Sequence, residues 1–176
     1  ELALQRDELR RTREEMKVST AAQQEMSRHQ KNAISLQVVL PFMNEVVSDE
    51  MRTAIISITH FRDVYDSSDG FVPRFSTLLD KRRLHTLTQE EESELETVDR
   101  ARRRFVGFFH KMHRVATTSI IDDDIVRVVL PPDWVYLLIE TVEPLEAAIR
   151  TNYARDTFDF ARRLYSAEDL KEKGYH

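Results

Sequence analysis

QEEESELETVDRARRRFVGFFHKMHRVATTSI, residues 89–120, carries a helix signature from end to end. Thr88, followed three residues later by Glu91, is a capping-box pair in which each side chain meets a backbone N–H that the first helical turn leaves without a partner. Leu95, Val98, Phe105, Phe109, Met112 and Ala116 then recur at three-four spacing and so share one face. Ala101, Phe108 and Val115 widen that face beyond what a two-stranded coiled coil needs, to about what the centre of a bundle needs. One seam position, Arg102, is charged. The spacing predicts a hub helix with other helices packed around it.

Upstream, Ser48 offers an N-cap, Asp49 and Glu50 supply acids where the helix dipole favours them, and Met51, Ala54, Ile55, Ile58, Phe61 and Tyr65 form a stripe. Asp66 to Gly70 has loop composition, Pro73 extends the break, and a short helix is expected over Ser76 to Leu84. Downstream, Asp122 to Leu130 reads as a short helix stopped by Pro131 and Pro132. Asp133 then caps a helix carrying Trp134, Leu137, Leu138, Val142, Leu145 and Ile149, which Pro144 should kink or break near Glu143. Phe158, Ala161, Leu164 and Tyr165 place a last helix over about 156–165, and residues 171–176 read as a frayed tail.

The first 31 residues lack Pro and Gly and are rich in Glu, Arg, Gln and Ala, which suits a long exposed helix. Leu2, Leu9 and Met16 recur every seven residues, while the alternate seam positions Gln5, Thr12 and Ser19 are polar and Met26 is the exception. These three residues form the candidate interface of a weak coiled coil. A second helical region, 32–47, is interrupted or started by Pro41. The expected organisation is an all-α, irregular helical bundle at 32–170, with a helical arm at 1–31 and the tail at 171–176.

Composition supports this class. Of 176 residues 41% are apolar and 32% charged, which is enough for a packed core beneath a charged surface. Three glycines in the whole chain argue against tight-turned β structure and Gly-rich phosphate loops. The net charge of −5 argues against nucleic acid as a partner overall, and the absence of cysteine fits a reducing, cytoplasmic setting. The longest uncharged run, Asn32 to Asn44, is 13 residues, short of the roughly 20 that span a bilayer. The chain starts at Glu1 rather than Met, so a preceding segment is expected, and any membrane contact would run through it.

Few constellations carry chemistry. His110 and His113 lie one turn apart, but Lys111 and Arg114 flank them and no Glu-x-x-His pair exists, so no metal site is expected. Asp122, Asp123 and Asp124 lack the alternating ligands of a calcium loop and read as helix-start acids. No nucleophile elbow or dinucleotide fingerprint is present, so the reading leans away from an enzyme and expects no cofactor. Basic residues cluster at Lys81, Arg82 and Arg83 and again at Arg100, Arg103, Arg104, Lys111 and Arg114, the candidate anion-binding set. Acids fill the preceding half of the same helix, so acid-first, base-last order also serves the helix dipole.

Two stretches, LALQRDELRRTREEMKVSTAAQQ (2–24) and FFHKMHRVATTSIIDDDIVRVVLPPDWVYLLIETVEPLEAAIR (108–150), resemble a family of uncharacterised, mostly bacterial helical proteins, some labelled phage abortive-infection proteins. Members carry transmembrane helices before a cytoplasmic helical domain. The resemblance implies a membrane anchor ahead of Glu1 and a domain that senses or binds something on the cytoplasmic face, with no functional residue to carry over. The expected function is thus a non-enzymatic helical module for protein interaction or self-association. The alternatives are a binder of nucleic acid or anionic membrane through residues 100–114, and an effector or sensor in phage defence.

Overall fold

The computed structural model describes residues 2–66, 70–118, 120–150, 152–153, 155–165 and 168, with side chains from residue 10 onward. Among these residues there is no strand. The helices run α1 (Leu2–Val46), α2 (Asp49–Tyr65), α3 (Phe71–Arg83), α4 (Gln89–Ala116), α5 (Asp123–Val129), α6 (Pro132–Leu137), a π-helical turn (Leu138–Val142), α7 (Glu143–Ile149) and α8 (Asp156–Leu164). The chain divides into two units, Glu1–Leu40 and Pro41–His176. All-α architecture with a long N-terminal helix is therefore what the sequence builds.

Over its described residues, 2–40, the first unit is helix alone. Its described side chains from Arg10 to Ile34 are all exposed. The expected interruption at Pro41 is absent, because α1 runs through it to Val46. Pro41 withholds the N–H that would meet the Gln37 carbonyl, and the division between the units falls there.

The second unit is organised by α4. Its capping box is present: the Glu91 N–H donates to Thr88 Oγ1 and the Thr88 N–H to Glu91 Oε2, both at 3.2 Å. The helix stops at Ala116 rather than near Ile120, where the Thr117 and Thr118 hydroxyls donate to the Arg114 and Val115 carbonyls and compete with further turns. Phe105, Phe108, Phe109 and Met112 are fully buried. Phe108 meets Phe42 edge-on at 6.0 Å, and Phe105 and Phe108 each lie 5.7 Å from Trp134. A second core cluster joins Phe61, Phe75, Leu78, Leu95, Val98 and Leu145, tying α2, α3 and α7 to the N-terminal half of α4.

α3 begins at Phe71, not Ser76, because a proline in the first turn gives up an N–H that has no intrahelical acceptor, so Pro73 starts the helix instead of breaking it. α3 ends where His85, at φ 55°, lets the Thr86 and His85 N–H groups donate to the Lys81 and Arg82 carbonyls. Asp133 does not cap α6; Pro131 holds that place, Pro132 fills the first position, and Asp133 lies in the first turn. Pro144 is expected to kink or break its helix near Glu143, and the regular α-helix does give way just ahead of that residue. The turn ahead of it widens, the Glu143 N–H donating five residues back to Leu138, and Pro144 enters α7 near its start.

Candidate functional site

The candidate interface lies along α1. Leu2 and Leu9 fall outside the residues whose side chains are described, while Met16 is 64% exposed. Because α1 is continuous, Met26, Ala33 and Leu40 extend the seam on the adjoining heptad position, and all three are exposed. Their seven-residue recurrence is visible in the sequence, but ending the arm at residue 31 hides it.

The candidate anion-binding residues separate into two groups. Lys81 donates to Glu91 at 2.5 Å, which places it with Arg82 and Arg83 beside the first turn of α4. That is about 13 Å along the axis from Arg100. Arg100, Arg103, Arg104, Lys111 and Arg114 are all exposed and share one face of α4, within an arc of about 100°. Much of the charge is already compensated: Arg103 pairs with Asp99 at 2.6 Å, Lys111 with Glu45 at 2.5 Å and Arg83 with Asp80 at 3.2 Å. Among the described residues Arg82, Arg100, Arg104 and Arg114 make no ion pair.

Arg102, the charged seam residue, points inward. It is 4% exposed, donates to Asp99 Oδ1 at 2.6 Å and reaches Glu146 on α7. Burial pulls the guanidinium below its usual range and the Asp99 carboxylate opposes that pull. Arg103 and Arg150 neutralise the outer oxygens of Asp99 and Glu146, so the network closes on itself and joins α4 to α7. A second polar tie links α4 to α8: the Thr157 hydroxyl and His110 Nδ1 share a hydrogen bond at 2.5 Å, and His113 stacks on Phe160 at 4.9 Å. Burial first, then His113 and Arg150, holds the His110 pKa below its ordinary value. The two histidines therefore serve the packing of α8. Among the described residues no three His, Asp or Glu side chains converge as metal ligands would.

One groove was not anticipated. Between α2 and α4 lie two adjoining cavities of about 370 and 470 Å³ that share Ser57 and Thr97. Ala54 and Ala101 are in the floor, and Ile56 and Val64, 58% and 48% exposed, stand on the α2 rim. At one end Asp49 and Glu50 face Arg100 and Arg104 across the gap. At the other, Tyr65 and Arg74 both donate to Glu94 at 2.5 Å, and that carboxylate pushes the Tyr65 phenol up. Periodicity could not reveal the groove, since it needs two helices at a known register.

No protein-family model, curated protein or solved structure matches this chain. No helix of the described residues is long and apolar enough to cross a membrane.

Proposed function

We propose that this chain is a non-enzymatic protein-association module whose N-terminal helix pairs with the same helix of a second copy, with the bundle as the unit so brought together. The observation that carries this reading is the exposure of every described side chain from Arg10 to Ile34 in a helix of 45 residues. A helix alone in water draws on propensity only, whereas most helical stability in proteins comes from burying an apolar stripe. Met16, Met26 and Leu40 offer that stripe at heptad positions, and pairing with a second copy would bury it.

The basic face of α4 supports an anion-binding role less well, since Arg103 and Lys111 are engaged within the chain. The resemblance to membrane-anchored bacterial proteins fits the association reading, with the arm as the segment next to an anchor on the cytoplasmic face and the bundle as a sensor or effector in phage defence. Substituting Leu2, Leu9 and Met16 together by Ser tests the reading in solution. Sedimentation should show the mass halved with the helical content of the bundle kept, and an unchanged mass would refute it.

A further inference from the structure

The groove between α2 and α4 has its own logic, independent of the arm. Low-numbered residues of α2 lie level with high-numbered residues of α4, for Asp49 and Ala54 share a cavity with Ala101 and Arg104, while Tyr65 bonds Glu94. The two helices are therefore antiparallel. Its floor of Ala54, Ser57, Thr97 and Ala101 is small enough for another helix to approach closely, and Ile56 and Val64 hold apolar surface in water beside it. Asp49, Glu50, Arg100 and Arg104 are exposed, and among the described residues none of them makes an ion pair.

We propose that this groove docks the same face of a second copy of the chain, related by a two-fold axis parallel to the groove. Such a half-turn keeps each residue at its own height and exchanges the rims, so the α2 acids of one copy meet the α4 arginines of the other, twice over. A two-fold across the groove would instead lay the charged end over the apolar end. The resulting layer, α2 and α4 alternating with their symmetry mates, is antiparallel at every contact, as in an up-down four-helix bundle. The contact is isologous, so it closes on two copies. A foreign partner would have to reproduce this arrangement of acids, arginines and small residues; the chain itself already carries it.

The test is made in the full chain with Leu2, Leu9 and Met16 changed to Ser, so that the arm plays no part. Light scattering should give a mass of two chains at high micromolar concentration. R100E/R104E should weaken the association by about tenfold or more, and adding D49K/E50K to it should restore the association by exchanging the rims. Far-UV circular dichroism should be the same for all three proteins, because all four positions are exposed. One-chain mass from the outset would leave the groove to a different protein and overturn the proposal. So would a two-chain mass indifferent to R100E/R104E, or a four-residue variant that fails to recover.

Discussion

At the residue scale, Arg102 shows what periodicity reports and what it omits. The three-four pattern put a charge on the apolar seam of α4 but could not say which way the side chain turns, because its second acid, Glu146, lies 44 residues away on α7. Removing the guanidinium leaves the buried Asp99 and Glu146 carboxylates with only Arg103 and Arg150 at their outer oxygens, so Arg102→Met should cost up to about 3–5 kcal/mol in urea unfolding. Replacing Asp99, Arg102 and Glu146 together by apolar residues should cost far less, since buried charges repay their desolvation only when paired. His110 supplies a pH dependence. Its folded pKa lies below the ordinary 6.5, so the unfolded chain takes up its proton first. That contribution to stability is complete above about pH 6.5, declines as the pH falls from there and levels off below the folded value. His110→Gln should flatten this part of a curve of melting temperature against pH. A slope identical to that of the unsubstituted chain would show that the proton goes elsewhere. The one-turn spacing of His110 and His113 made the pair visible, whereas its Thr157 partner came only with the docking of α8.

At the element scale, caps were legible at Ser48 and Thr88 but not at Asp133, whose expected place Pro131 takes. Ser48 and Asp122 accept from Met51 and Ile125, and the Thr88–Glu91 box is complete. Prolines were not, because the same residue starts, interrupts or is accommodated by a helix according to its position: Pro73 in a first turn, Pro41 within α1, Pro144 after a widened turn. Two substitutions on α4 test the energetics. Thr88→Ala removes the cap acceptor and should cost about 1 kcal/mol by denaturant titration. Gly107 sits mid-helix where an added Cβ would meet nothing within 4 Å. Gly107→Ala should therefore stabilise by about 0.5–1 kcal/mol, through backbone entropy alone. A loss of stability there would mean that another surface needs the open space beside Gly107.

At the scale of the whole molecule, the helical class and the hub role of α4 followed from the width of one apolar face, Leu95 to Ala116. The arm followed only in part, its heptad visible as Leu2, Leu9 and Met16 but ended at residue 31, whereas α1 runs on to Val46. The groove was invisible, since the residues that make it are ordinary surface residues on each helix taken singly. The described side chains of α1 from Arg10 to Ile34 bury nothing while displaying Met16 and Met26. The direct test is the mass of the 20.7 kDa chain by light scattering, before and after Leu2, Leu9 and Met16 become Ser. A mass of at least two chains that halves on substitution is the predicted result. The same mass in both proteins, or one chain in both, would contradict it.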